Sequence, residues 1–373
     1  MVTDSIGIYV HTPFCVSKCK YCDFASFPGV ACSDREKYVD KLVSEIKSYS
    51  GENRAVDSIF FGGGTPSLLT AEEMCRIVDS IRETFFVANC CEFTVEVNPK
   101  TVDKEKLALY RSLGVNRISI GMQSIHENEL KSLGRIHTFD EFLGCYNAVL
   151  ESGISNVSID LMYGIPHQTK DSFIATLKKV IDLDPTHISV YGLIIEPGTP
   201  FYLNRDTLPV PDEDDEVAMY YSACDLLAKA GYLHYEISNY SKPQRECRHN
   251  LKYWQNEEFI GFGLSAYSYV GNKRYGNTRN FNEYLLDDYV KYRTVDEIGL
   301  DEERFEYIMM HLRTSYGVPR AEYFDRFGVD FAEEVNEKLR KYVDLGYVEC
   351  LHDRVRLTEK GFYLSNTIIS EIV

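Results

Sequence analysis

Apolar residues alternate with smaller or polar ones from Ile6 to Val10 and recur at helical spacing from about Asp34 to Tyr49, so the chain opens on a strand followed by an amphipathic helix. The pattern then repeats. Ser58 to Phe61 reads as a second strand that breaks into Gly62-Gly63-Gly64-Thr65-Pro66, and Thr70 offers the N-cap of the helix that follows. Glu92 to Val97, Asn116 to Ile120, Asn156 to Leu161 and His187 to Tyr191 continue as strands three to six, with helical patterns between them. Six β/α units with turn residues at the strand ends predict an α/β fold in which a parallel sheet, helices outside, curls into a partial (β/α)6 barrel. Ligand sites in such sheets form at the C-terminal ends of the strands.

After Pro197, Pro200, Pro209 and Pro211 the pattern changes, which places the barrel in residues 1–200. Residues 201–300 are expected to connect and complete the core, and residues 301–373 to form an α+β, winged-helix-like extension. Within the connection, Asp212 to Glu216 is an acidic run that suits the first turn of a helix and its dipole. The extension reads as helices and a short hairpin, Gly346-Tyr347-Val348 leading to Val355-Arg356-Leu357-Thr358. Its ten Lys and Arg are outnumbered by fifteen Asp and Glu, which argues against DNA binding.

The 373 residues are 44% hydrophobic, an ordinary globular composition, and carry a formal charge of -17. That charge excludes a sequence-independent nucleic-acid binder, which needs a basic face, and disfavours docking on anionic lipid by charge alone. No apolar run reaches the ~18 residues of a spanning helix, so membrane contact is at most peripheral. Eleven Cys without an N-terminal charged and apolar leader point to a reducing compartment, here the cytoplasm.

Chemistry enters with Cys15, Cys19 and Cys22, a CxxxCxxC array directly after the first strand. Three thiolates at this spacing can hold three irons of a four-iron cluster and leave the fourth open. Structural zinc would want a fourth ligand, and the next candidate, Cys32, lies ten positions on. The array and its flanks resemble the cluster-binding signature of the radical S-adenosylmethionine superfamily. That resemblance implies a 4Fe-4S cluster on Cys15, Cys19 and Cys22, with S-adenosylmethionine chelating the open iron through its amino and carboxylate groups. An electron donor for the cluster is implied with it. Tyr21 fills the superfamily's aromatic position beside the cofactor.

Taken alone, the glycine run is a tight turn whose bare backbone suits a polar ligand. Beside the Cys array it resembles the superfamily's glycine-rich element, which assigns Gly63, Gly64 and Thr65 to the methionine amino group. Thr94-Val95-Glu96-Val97-Asn98-Pro99 resembles the coproporphyrinogen-dehydrogenase-like branch, where the matching Glu96 lies against the cofactor. The same branch supplies matches for Tyr9, Gln123, Arg135 and Asp160. His11, four residues before Cys15, is expected to pack or hydrogen-bond beneath the cluster loop rather than bind iron. Cys75, Cys90, Cys91, Cys145, Cys224 and Cys350 show no ligand spacing.

Arg248-His249-Asn250-Leu251-Lys252-Tyr253-Trp254 contains HNxxYW and the chain's single Trp. His249 offers an imidazole nitrogen to iron, Tyr253 and Trp254 offer flat apolar surface to a porphyrin, and Arg248 or Lys252 could meet a propionate. By spacing alone, a core histidine among aromatics explains it as well. The motif and the CxxxCxxCDF form of the array resemble the HemW-type haem chaperones, which implies haem bound through His249, Asn250, Tyr253 and Trp254 and passed to an acceptor protein. Cys247 is near enough in sequence to be weighed as a second iron ligand.

Two other activities remain open. Oxygen-independent coproporphyrinogen III dehydrogenases carry a further Cys where this chain has Phe24, and a longer segment before the array. Radical methyltransferases of the branch share the barrel, but nothing after residue 200 favours them over haem binding.

Overall fold

The computed structural model describes residues 5–372. Six parallel strands follow one another as expected: β1 Ser5–Thr12, β2 Ala55–Gly63, β3 Phe86–Val97, β4 Arg117–Gln123, β5 Asn156–Tyr163 and β6 His187–Gly192. Helices α1 Cys32–Lys47, α2 Ala71–Thr84, α3 Lys104–Ser112, α4 Glu127–Leu133, α5 Phe139–Glu151 and α6 Lys170–Asp182 connect them. Thr70 caps α2 in a full capping box with Glu73, so two of the helix's unpaired N-terminal groups are met reciprocally. Tyr38, Val39, Leu42 and Ile46 turn one face of α1 into the core.

Residues 201–300 join the same sheet. β7 Leu233–Glu236 and β8 Asn239–Ser241 extend the β6 edge antiparallel. On the other edge β9 Phe259–Phe262 pairs with β1 in parallel, and β10 Tyr267–Val270, β11 Lys273–Gly276 and β12 Thr294–Glu297 follow antiparallel. The order is β12-β11-β10-β9-β1-β2-β3-β4-β5-β6-β8-β7, a sheet of 12 strands among the described residues. A seventh parallel strand was not expected, because Phe-Ile-Gly-Phe is too short to announce itself. Its parallel pairing needs a crossover, and helix α8 Arg248–Trp254 supplies the last part of it.

The acidic run lies where expected. Asp212 caps helix α7 Glu213–Lys229 by accepting from the Asp215 N–H, with Glu213 to Glu216 in the first turn. Strand β3 is longer than its pattern suggested: Phe86 and Val87 pair with Ala55 and Val56, and the ladder resumes at Glu92 opposite Ser58, leaving residues 88–91 as an irregularity.

The C-terminal extension begins with helix α9 Leu300–His311, which packs against α8. A three-stranded sheet follows, with Val348–Cys350 and Arg354–Leu357 as the hairpin and Val318–Pro319 on its edge. The Ser315 N–H donates to the Tyr235 carbonyl of β7, which ties the extension to the sheet. No helix among the described residues is long and apolar enough to cross a membrane.

At Gly261, in β9, a Cβ would stand 2.1 Å from the Tyr267 carbonyl oxygen. Backbone cannot yield as a side chain tip can, so Gly261→Ala is expected to lower the urea midpoint by an amount equal to ~1–3 kcal/mol. An unchanged midpoint would contradict this close approach of β9 and β10.

Candidate functional site

At the C-terminal strand ends lies a cavity of about 300 Å³. The loop after β1 enters it with Cys15, Cys19 and Cys22, all partly exposed and all free thiols. A short turn shapes this loop: the Cys22 N–H donates to the Cys19 carbonyl, and the Phe27 N–H donates back to Pro13. Each sulfur has a polar neighbour, with Thr65 Oγ1 at 3.7 Å from Cys15, an Arg135 guanidinium nitrogen at 3.6 Å from Cys19 and Ser26 Oγ at 3.9 Å from Cys22. Burial pushes the Cys22 thiol up, against hydrogen bonds from Phe24 and Ser26. Among the described residues no three His, Cys, Asp or Glu side chains converge on a single ion. The cavity wall carries three Cys and neither a fourth Cys nor a His, a donor set that fits a four-iron cluster with one open iron better than a closed zinc site.

Gly63 and Gly64 form the adjacent wall. Gly63 has φ +102°, and a Cβ there would stand 2.4 Å from the His11 ring; one on Gly64 would stand 2.7 Å from the carbonyls of Thr12 and Phe14. Only bare backbone passes between the cluster loop and the ends of β1 and β2. Asn98 locks the far side by donating to Thr65 Oγ1 at 2.9 Å and accepting from Arg135 at 2.9 Å, while Arg135 also donates to the Gly121 carbonyl.

Glu96 and Asp160 form the acidic side. Withdrawal from water, then the charge of Asp160, push the Glu96 carboxyl up to about 8, although the Gly63 N–H pulls the other way. Burial also raises Asp160, while Ser119 donates to both of its oxygens at 3.0 and 3.1 Å. Two carboxyls of this kind suit a cation or a set of hydroxyls. Gln123, in a left-handed conformation at φ +69°, and Tyr21 complete the expected set around the cavity.

Tyr9 does not line the cavity. It lies one level below, with its hydroxyl 3.2 Å from His11 Nδ1 and its ring stacked against Phe60 and His249. The alternation of a strand puts Tyr9 and His11 on one face, and the Cys loop begins only after Thr12. His11 bonds Ala25 through Nε2 as well, so both ring nitrogens are engaged under the cluster loop, and burial lowers its pKa to about 4.

The HNxxYW helix lies deeper still. His249 is 1% exposed; its Nδ1 is 3.0 Å from Ser58 Oγ and its Nε2 2.8 Å from the Tyr253 hydroxyl. In this conformation the imidazole presents no free nitrogen, and burial, then Lys252, lower its pKa to about 3. Tyr253 is four residues on, hence on the same helix face. Asn250 and Trp254 are half-buried, and burial pushes the nearby Glu236 carboxyl up to about 7, against the pull of hydrogen-bond donors that include the Trp254 indole. Of the two cations expected to face a propionate, Lys252 is buried between Asp57 at 3.1 Å and Glu257 at 2.7 Å. Arg248 donates to the Cys90 carbonyl. Cys247 is buried, its thiol 3.6 Å from Glu92, and burial pushes it up to about 12, so it is not poised as a ligand.

Sequence reasoning missed Asn98, Ser119, Met162 and Tyr191, all on the cavity wall. Asn98 stood inside the quoted Glu96 run, while Ser119 joins the site only through its bonds to Asp160, and Met162 and Tyr191 through the pairing of β5 with β6.

The family model of the Radical SAM superfamily matches residues 9–180, and that of the HemN C-terminal domain matches residues 298–364. The chain is 33% identical over 371 residues to the heme chaperone HemW of Escherichia coli strain K12, covering 98% of this chain and 97% of that protein. It is 31% identical over 368 residues to the heme chaperone HemW of Bacillus subtilis strain 168, covering 96% and 97%. Among solved structures, the coproporphyrinogen III oxidase HemN of Escherichia coli, a radical SAM enzyme, superposes with a TM-score of 0.85 at 23% identity, covering 98% of this chain and 89% of that one. At that identity the likeness concerns the fold.

A group whose folded pKa of about 8 exceeds its ordinary 4.5 keeps a proton that the unfolded chain has lost between those values, so its contribution to stability is full below pH 4.5 and falls toward pH 8. Glu96→Gln removes that component. Urea unfolding from pH 5 to 8 is expected to show the variant gaining steadily on the wild type; a constant difference would refute the shift.

Proposed function

Because the chain belongs to the family of the heme chaperone HemW, within the radical S-adenosylmethionine superfamily, we propose that it binds haem and passes it to an acceptor protein. In this reading Cys15, Cys19 and Cys22 hold a 4Fe-4S cluster and the cavity beside them holds S-adenosylmethionine. The observation that carries it is the gathering of eleven of the residues expected from the sequence, from Cys15 to Asp160 and three of them free thiols, around one cavity.

When bound, the cluster supplies an electron at an open iron. The chain's own residues bind and orient. Gly63, Gly64 and Thr65 present a bare edge to the cofactor's amino group, and Glu96 and Asp160 offer acceptors to its hydroxyls and cationic groups. Arg135, fixed by Asn98 and Gly121, sets a positive charge against Cys19. Tyr21 stands on the cavity wall among the thiols, and Gln123 presents its amide from the β4 terminus. Tyr9 acts through His11 and Phe60, as a positioning residue.

For haem, the helix carrying His249, Asn250, Tyr253 and Trp254 is the proposed element. Its imidazole is neutral and so competent as a ligand, once Nε2 leaves the Tyr253 hydroxyl. An electron donor and the haem acceptor are its expected protein partners. The acidic balance supports no role for nucleic acid, and the free thiols support a cytoplasmic setting.

Decarboxylation of coproporphyrinogen is the reading this one displaces. Phe24, exposed at the cavity rim, stands where those enzymes carry a Cys.

Anaerobic reconstitution followed by haem titration tests the proposal. The wild type is expected to take up one haem per chain and to leave coproporphyrinogen unchanged in the presence of S-adenosylmethionine and a reductant. Replacing Cys15, Cys19 or Cys22 by Ala should abolish the cluster's visible absorbance, and His249→Ala should weaken haem binding about tenfold, or ~1.4 kcal/mol. Turnover to protoporphyrinogen, or absence of stoichiometric haem binding, would overturn it.

A further inference from the structure

A groove of about 890 Å³ lies at the other end of the sheet from the thiols, within the ~300–1,000 Å³ of small-molecule sites. One side is the underside of the barrel, at Arg54 before β2 and Glu258 before β9. The other is the C-terminal extension, from α9 to Arg354, and it includes helix α10 Arg320–Phe327. No Ala, Val, Leu, Ile or Met side chain lines it. Protein interfaces are anchored by an apolar core, so a wall of acids, amides and tyrosines suits a small polar ligand better than a docked chain.

Three polar atoms on this wall lack partners among the described residues. His311, the last residue of α9, is 6% exposed, and its one hydrogen bond places Nδ1 2.9 Å from the Tyr307 carbonyl. A carbonyl only accepts, so the proton is on Nδ1 and Nε2 keeps a lone pair. Burial lowers the ring's pKa to about 4, against the Tyr307 bond and with the Arg326 charge, so that lone pair persists at neutral pH. The Tyr307 hydroxyl, on a residue 3% exposed, and Oδ1 of Asn256 are buried without partners. Each such orphan costs ~1–3 kcal/mol, which a ligand that donates hydrogen bonds would recover.

Charge points the same way. Five carboxylates share the wall with three arginines. Glu257 is held by Lys252 at 2.7 Å, Glu258 by Arg54 and Glu303 by Arg326, while Arg354 is taken up by Asp353 at 2.7 Å. Glu322 and Asp325 are left, three residues apart on one face of α10, with no cation within 4 Å among the described residues. Burial, then the charge of Glu322, raises the Tyr307 hydroxyl, so the free acid and the unpartnered hydroxyl stand close together. The exposed Tyr316 ring adds an aromatic face for a cation.

The groove is thus rich in acceptors and short of donors. We propose that it binds a linear polyamine, with one ammonium group at Glu322 and Asp325 and the amines further along donating to His311 Nε2 and Asn256 Oδ1. A slim, unbranched chain reaches groups that lie more than nine-tenths buried. No covalent bond forms and no proton is transferred. Because Asn256 belongs to the barrel and α10 to the extension, the ligand would tie one to the other. The site is independent of haem and of the cluster, and goes beyond the haem-carrying function.

The test uses the full-length, reconstituted protein and spermidine, titrated calorimetrically at physiological salt. One spermidine per chain is expected. The double variant Glu322→Gln/Asp325→Asn is expected to bind about tenfold more weakly. Both acids are exposed and unpaired, so its unfolding midpoint without ligand should match the wild type. Asp214→Asn/Asp215→Asn removes the same charge from α7, away from the groove, and should bind as the wild type does. In the wild type itself, a photoreactive spermidine should label α9 or α10, a readout that needs no variant to fold. Absence of saturable binding, equal weakening by both double variants, or label only outside the groove would overturn the site. Equal or tighter binding of a lysine-rich peptide of the same charge would overturn the small-molecule assignment in favour of a protein partner.

Discussion

One buried carboxylate joins the halves of the molecule. Glu92, in β3, accepts from the backbone N–H groups of Arg248 and His249 at 3.2 Å each and lies 3.6 Å from the Cys247 thiol. A helix start buried in a barrel would otherwise carry orphan donors, at ~1–3 kcal/mol for each unsatisfied group. Glu92 meets these donors and fixes α8 at one height under the sheet. Everything downstream inherits that height: β9 pairs with β1 immediately afterwards, and α9 packs on α8. Glu96 is four residues further along the same strand and the same face, ~13 Å higher. The acid that anchors the lower helix and the acid that lines the thiol cavity are thus two marks on one ruler.

Between them the barrel is polar rather than oily. Arg117 is 2% exposed and makes no ion pair within 4 Å among the described residues. Burial works against its charge, while the nearby carboxylates of Glu92 and Asp160 favour it, and its pKa is raised. Ser158 lies 2.8 Å from His187, which reaches Tyr235 at 2.8 Å. A guanidinium placed between carboxylates on two levels makes each level feel the other's charge, since screening by water is weak there. The two ends of the barrel are electrically acquainted although no side chain spans them.

The first six strands and the order of the barrel were legible because each strand has its own apolar run and its own turn. The thiol array and the glycine run were legible because their spacing is local. What could not be read depends on distant pairing. Phe259–Phe262 has four residues and gains its identity only from β1, and residues 88–91 depart from a ladder that begins and resumes around them. Tyr9 was placed one level too high, since a strand's pattern gives the face and not the depth. His249 and Tyr253 illustrate the reverse case: their spacing of four already allowed a hydrogen bond within the helix, which a reading directed at iron passed over.

Strand β1 is hydrogen-bonded on one side to a strand that begins at Ala55 and on the other to one that begins at Phe259. A ribosome adding ~5–20 residues per second delivers the second neighbour roughly 10–50 s after the first strand is complete. Throughout that interval Ile6, Ile8 and Val10 would lie beside an open ladder, a template for any other strand. The nascent chain thus passes through a long window in which β1 keeps one open edge, and a slowed or truncated translation would leave that edge bare.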